Sequence, residues 1–284
     1  MSTLRNILLD CVPPVALRTY RALRHPAKVP ANPLEFAHLL NNQAIGWNEI
    51  VLRPGMKLKI ASESRIPFEY FCFRDAEMVS ELDQFLRMAQ GKSRLLDVGA
   101  LHGIFSLAFV MQDTSRRALA LEPSPLASPF LLYNIQANAP EQIKFVESAL
   151  GDRNENIRMT FEWQHLVALG ESGSAKRGQN VAEIRSQRGD DLCWSQSFEP
   201  DLIKMDVEGF EFPCLVGLRD TLKRCRPSIC LEIHPRMPDG CTAAQLAGFL
   251  TELGYRFYNL NDESLSYEDI AGLEKVSRVV VKPS

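Results

Sequence analysis

Three carboxylates, Asp206, Glu208 and Glu211, fall within six positions of DLIKMDVEGFEFPCL (201–215). They follow Leu202-Ile203-Lys204-Met205, a short run with the look of a buried strand. A carboxylate at the tip of such a strand is costly unless a cation or hydrogen bonds compensate it, so its presence asks for a use. A second run, SICLEIHP, ends in Glu232 and His234, which are two apart and so share one side of a strand. His234 is attractive as a base because an unperturbed imidazole titrates at about 6.5; the bland alternative is a histidine hydrogen-bonded at a strand end. Asp206 is read as a base or as a carboxylate that orients an acceptor. Glu208 belongs either to an acceptor pocket or to the cap of the helix starting at Gly209, and Glu211 suits the positive end of that helix. Asp206, Glu232 and His234 could together hold a divalent metal. Nothing in the order of the motifs demands one, and none is assigned.

A further set lies upstream. LLDVGALHGIF places Asp97 at a strand tip, with Gly99 and Gly103 around the turn into a helix. Glycines there let a ligand approach the backbone, and the helix start offers free N–H groups. The next strand ends in LALEP, with Glu122 nineteen residues beyond Gly103, where an acid can accept from both hydroxyls of a ribose. The turn lacks the GxGxxG dinucleotide fingerprint, which disfavours a nicotinamide oxidoreductase. Asp97 would repel a pyrophosphate and instead suits a cationic ligand carrying an amino group and a sulfonium. S-adenosylmethionine is such a ligand.

Positioning these groups requires a sheet whose strands all end at one rim. From residue 94 the chain alternates strand-like and helix-like stretches: RLLDVG, GIFSLAFVMQ, RALALE, PLASPFLLYNIQAN, IKFVESAL, then DLIKMD, SICLEIH and AAQLAGFLTELG. YRFYNL and RVVVKP close the chain with no long helix between them, as an antiparallel edge pair would. Continuously apolar strands alternating with helices predict a doubly wound, mostly parallel α/β sheet with an antiparallel last strand. Ligands of such sheets bind at the carboxyl ends of the strands. Residues 151–200 interrupt the rhythm with two strand-like stretches around the polar LGESGSAKRGQ, an insertion suited to a substrate lid. Asp190, Asp191, Trp163, Trp194 and His165 are candidates to face the acceptor, although aromatic residues beside an insertion are more often simply packed.

Residues 1–90 are read as an N-terminal extension and 91–284 as the main domain. The extension begins with two amphipathic stretches broken at Pro13-Pro14, rich in arginine, and suits an arm packed on the main domain, a dimer contact, or peripheral attachment to an anionic membrane. EIVLRPGMKLKI is expected to form a hairpin, and RDAEMVSELDQFLRMAQG a helix stopped by Gly91. A net charge of −3 implies no nucleic-acid partner. Seven cysteines without CxxC spacing, several inside apolar runs, read as reduced thiols. With no apolar run of membrane-spanning length and no cleavable leader, a cytoplasmic setting is the expectation.

The blocks DVGALHG, LEPSP with YNIQAN, ESALGD, DLIKMDVEGFE and RPSICLEIHP together resemble, in order, the FkbM-type family of S-adenosylmethionine-dependent methyltransferases. The resemblance spans residues 94–236 and implies a class I methyltransferase (Rossmann-like) fold. It also implies O-methylation of a hydroxyl on a sugar, glycan or other metabolite, with an N-methyltransferase or a non-catalytic ligand-binding module as alternatives. Carried over, Asp97, Gly99, Ala100 and Gly103 would hold the methionine end of the cofactor and Glu122 its ribose. Ala149, in the ESALGD block, would lie against the adenine. Asp206, Glu208, Glu232 and His234 would converge on the acceptor. One position departs from the family pattern: the turn usually reads DVGAN, and Leu101 stands here in place of the Asn.

Overall fold

The computed structural model describes residues 46–162, 165–169, 180–235 and 241–284. The arginine-rich N-terminal stretches, Trp163 and most of the LGESGSAKRGQ loop lie outside the described residues. Residues 48–284 form one compact unit, so the hairpin and the helix after it fold with the sheet.

The hairpin is β1 (Trp47–Arg53) and β2 (Met56–Ala61) around the expected Pro54-Gly55 turn. It leads through α1 (Arg65–Glu69) and a turn of π-helix to α2 (Ala76–Met88). Asp75 caps α2, accepting from the N–H groups of Glu77 and Met78 at 2.9 Å each. The alternation then runs β3 (Arg94–Val98), α3 (Ile104–Val110), β4 (Arg117–Leu121), α4 (Ser128–Asn138) and β5 (Ile143–Val146). The insertion forms a sheet of its own from β6 (Ala149–Gly151), β7 (Glu155–Glu162), β8 (His165–Leu169) and β9 (Asn180–Arg188), ordered β6-β9-β7-β8. After α5 (Gly189–Ser195) come β10 (Leu202–Met205), α6 (Glu211–Gly217), α7 (Arg219–Cys225), β11 (Ser228–Ile233), α8 (Ala243–Glu252), β12 (Tyr255–Tyr258), β13 (Ser264–Leu265), α9 (Tyr267–Ala271) and β14 (Ser277–Pro283).

The main sheet has eight strands in the order β13-β12-β14-β11-β10-β3-β4-β5. The five central strands from β11 to β5 are parallel, and β14 runs antiparallel to both of its neighbours. This is a doubly wound α/β fold with an antiparallel last strand. That strand lies not at the edge but between β11 and β12. Its residues explain the place: Val279, Val280 and Val281 are all buried, so both faces of β14 are covered, as an interior strand requires.

Alternation along the central strands sends residues to two separate cores. Leu96, Val98, Ile203, Met205, Leu231 and Ile233 face one side; Leu95, Leu202 and Cys230 face the other, where α2 and α3 pack. Asp97, Lys204 and Glu232 fall on the α2/α3 side by the same period of two. The helix of the N-terminal extension thus covers the face on which the buried charges lie.

Candidate active site

The carboxyl ends of β3, β4, β10 and β11 open into one cleft. Gly99, Leu101, Glu122, Pro123, Ser148 and Ala149 line one side, and Asp206, Glu208, Phe210, Glu232 and Arg278 the other. Ile157 and Met159 of the insertion sheet also reach it.

The first side is organised by backbone. Gly99 has φ +80°, and a Cβ there would sit 1.8 Å from the Asp206 carbonyl oxygen. Glycine is therefore required by the close approach of the two strand-end loops, and any service to a ligand is additional. Leu101, at φ 47°, is also left-handed, a conformation that asparagine tolerates and leucine resists. The asparagine of the family pattern thus suits the backbone here, and leucine bears a strain in its place. The Leu101 N–H donates to Glu122 Oε2 at 2.8 Å, and the Ser124 N–H to Oε1 at 2.7 Å. Each oxygen of Glu122 keeps a lone pair for a further donor. Burial outweighs these hydrogen bonds and pushes the Glu122 carboxyl up to about 7.

Asp97 stands beneath the turn, not in the cleft wall. Its Oδ2 accepts from Ser106 N at 3.0 Å and Ser106 Oγ at 2.6 Å, satisfying an N–H in the first turn of α3. Oδ1 is buried without a hydrogen-bond partner, and burial raises the carboxyl to about 6 against the pull of Ser106 and Lys204. Ala100 and Gly103 are also behind the wall, with Gly103 donating to the Ala100 carbonyl and capping α3.

The second side is organised by ion pairs. Lys204, two residues before Asp206, is 1% exposed; its Nζ lies 3.0 Å from Glu81 Oε1 and 3.9 Å from Asp206 Oδ2, over the ring of Phe105. Burial works against its charge, but Glu81 and Asp206 outweigh that and hold its pKa above the ordinary value. Glu81, buried on α2, also meets Arg278 Nε at 2.9 Å. Arg278 reaches Glu232 Oε2 at 2.9 Å and Glu77 at 3.0 Å. The chain of charge runs Asp206–Lys204–Glu81–Arg278–Glu232, joining four elements.

In the sequence, Lys204, Glu81 and Arg278 carry one signal, a lone lysine in a four-residue apolar strand. Arg278 becomes visible only when β14 is placed beside β11, where it pairs with Glu232 in register, and Glu81 only when α2 packs against Lys204.

His234 lies just beyond β11. Its Nδ1 is 2.8 Å from Glu211 Oε1, which also accepts from Gly209 N at 2.9 Å. Its Nε2 is 3.3 Å from Glu208 and 3.8 Å from Glu232. The expectation of an imidazole titrating near its free value does not hold. Burial lowers its pKa, but hydrogen bonding to Glu208 and Glu211 more than offsets this and raises it to about 10. His234 is thus protonated at neutral pH and donates where a base was expected. Glu211, fully buried, orients that imidazole besides accepting an N–H ahead of α6. Glu232 is pushed up to about 7 by burial and by Asp206.

Other candidates fall away from the cleft. Asp190 accepts from the Asp220 and Thr221 N–H groups at the start of α7, Asp191 meets Arg188 and Asn154, and Trp194 is 81% exposed.

Residues 97–257 match the Methyltransferase FkbM domain family, which is more than half of the chain. The chain belongs to the FkbM methyltransferase family. The match begins at Asp97 and ends in β12, so it takes in every strand tip that forms the cleft except Arg278 on β14. No curated protein matches the sequence. Among solved structures, it is similar to an FkbM methyltransferase from Methylobacillus flagellatus at 16% identity, covering 67% of this chain and 43% of that one, with a TM-score of 0.43. A precorrin-6y C5,15-methyltransferase from Geobacter metallireducens shares 16% identity over 72% of this chain and 87% of its own, TM-score 0.41. TYW2 from M. jannaschii, solved with AdoMet, shares 13% over 84% and 85%, TM-score 0.41. The chain thus spans less than half the length of the first of these.

Proposed function

We propose that the cleft binds S-adenosylmethionine and that the protein methylates a hydroxyl on a sugar, glycan or other metabolite. The observation that carries this is the joining of two sets of residues in one cleft. Gly99, Glu122 and Ala149 form one wall and Asp206, Glu208 and Glu232 face them. The residues fit the cofactor. Glu122 keeps acceptor capacity on both oxygens for a ribose diol, and the acidic rim suits a cation and repels a diphosphate.

Bound there, the cofactor supplies a methyl group on a sulfonium, and the electron pair of the broken S–C bond returns to sulfur. The chain's own task is to hold the acceptor oxygen in line and to take its proton. Asp206 lines the cleft, and its Oδ1 has no hydrogen-bond partner while Lys204 lies near Oδ2. That leaves Oδ1 to receive the acceptor hydroxyl's proton. His234, held protonated, donates from Nδ1 to Glu211 and from Nε2 to Glu208, and so fixes Glu208 beside the acceptor.

Calorimetry with S-adenosylhomocysteine and with NADH tests the cofactor: heat with the first alone is expected, and heat with NADH alone removes the reading. Asp206→Asn should keep S-adenosylhomocysteine affinity. It should slow labelled methyl transfer to a panel of glycan acceptors by about 10²–10⁴-fold, the usual contribution of a positioned base. Full activity in that variant would take Asp206 out of the proton transfer.

A further inference from the structure

We propose that Asp206, Glu232 and His234 form a binding site for one divalent cation of the Mn2+ or Mg2+ kind at the acceptor end of the cleft. Among the described residues, these are the three side chains that can bring a ligand atom each within 4.8 Å of one another. Around one ion with bonds of about 2.0–2.1 Å, at most one pair of the three ligand atoms stands opposite, about 4.2 Å apart, and neighbouring ligands stand about 3 Å apart, so binding draws these side chains inward by on the order of 1 Å. Two carboxylate oxygens and one imidazole nitrogen form a mixed oxygen and nitrogen set for Mn2+, or for Mg2+ with more water in its shell. The ion replaces the Nε2 proton of His234, which passes to solvent, so binding releases a proton.

The surroundings are built as a ligand set needs them. The Nδ1 of His234 is held by Glu211, a carboxylate with no exposure, and this turns Nε2 toward Glu232 and Glu208. A carboxylate behind a histidine is the usual way of fixing a metal-binding imidazole. Glu232 is only 8% exposed; its Oε2 faces Arg278, and its Oε1 is the atom nearest the imidazole. Asp206 repeats the arrangement, with Oδ2 toward Lys204 and Oδ1 buried without a hydrogen-bond partner. Each carboxylate thus has one oxygen toward a cation, Glu232 toward Arg278 at 2.9 Å and Asp206 toward Lys204 at 3.9 Å, and its other oxygen turned away from that cation. Charge points the same way. Lys204, Arg278 and the imidazole face five carboxylates, Glu81, Asp206, Glu208, Glu211 and Glu232, which leaves an excess of negative charge. A divalent cation offsets that excess.

The use of such a cation in catalysis rests on the methyltransferase reading; its binding does not. With the ion bound, an acceptor hydroxyl would be both positioned and acidified; Asp206 Oδ1, the base of the metal-free reading, would then be a ligand, and Glu208, lining the same cleft, would take the proton in its place.

The test is titration of the chelator-treated full chain with Mn2+, followed by the paramagnetic resonance signal of the free ion. One Mn2+ per chain is expected. Glu232→Gln and His234→Ala should each weaken it by at least tenfold, and Glu211→Gln by about 10–100-fold, as loss of a supporting hydrogen bond does elsewhere. Absence of Mn2+ binding by the wild type at millimolar concentration overturns the site, whatever the folding of the variants. So does unchanged binding in both Glu232→Gln and His234→Ala. S-adenosylhomocysteine calorimetry on the same samples separates the two proposals. Mn2+ uptake without S-adenosylhomocysteine binding would retire the cofactor reading and leave the metal site; the reverse would retire the metal alone.

Discussion

At the tips of β3 and β4 the cleft wall is held by backbone: Glu122 is clamped by the N–H groups of Leu101 and Ser124, and Gly99 lets two loops touch. At the tips of β10, β11 and β14 it is held by side chains drawn from residues as far apart as Glu81 and Arg278. The difference is one of range. Backbone contacts within a turn form wherever the turn forms, whereas ion pairs across the sheet exist only once every strand is in place. The first wall should therefore tolerate loss of a side chain, and the second should fail as a unit.

The largest expected effect is on the second wall. Lys204→Met leaves Glu81, a buried carboxylate, without its lysine, a kind of change that costs about 3–5 kcal/mol. Urea denaturation measures it. The double variant Lys204→Met/Glu81→Gln should recover a large part. A loss under about 1 kcal/mol for the single change would mean that water already screens the pair, and the contrast between the walls would vanish.

An intermediate effect is expected from pH on the first wall. The folded-state pKa of Glu122 is raised from 4.5 to about 7, mainly by burial. Its contribution to stability is therefore fully present below pH 4.5 and is lost as pH rises to about 7. A shift of that size corresponds to something on the order of 3 kcal/mol. Asp97, raised from 3.8 to about 6, adds to the same decline. Thermal melts of the ligand-free protein from pH 4 to 8 should fall across that window, and Glu122→Gln should flatten the fall. Equal slopes in variant and wild type would assign the decline elsewhere.

The smallest effect sharpens the backbone argument. Leu101→Asn should raise stability by about 1 kcal/mol, because asparagine accepts the left-handed backbone at φ 47° more readily than leucine does. A destabilised variant in thermal melts would show that the leucine side chain, which lines the cleft, contributes more by packing than its backbone costs.

Much of the first wall was legible before folding. Gly99, Glu122, the Asp97 beneath them and the helix after Gly103 lie within one strand–turn–helix–strand stretch, and their relations follow from local periodicity. Asp206 and Glu232 were legible as strand-end acids for the same reason. Their surroundings were not. His234 was expected to titrate near neutrality, but two carboxylates from the turn before α6 and from its first residue raise it to about 10. Glu211 looked like a helix-end acid, and the fold turns it toward His234 as well. The insertion was expected as two strands around a loop, and its described part pairs four strands in a separate sheet.

The sequence by itself determined which residues sit at strand tips, because alternation and turn chemistry act over a few neighbours. Only the tertiary structure decided their company. Sheet order put β14 against β11, and so Arg278 beside Glu232; packing of α2 on that face put Glu81 against Lys204. Both are contacts between residues more than forty positions apart, and no local pattern records which distant charge a buried carboxylate will meet.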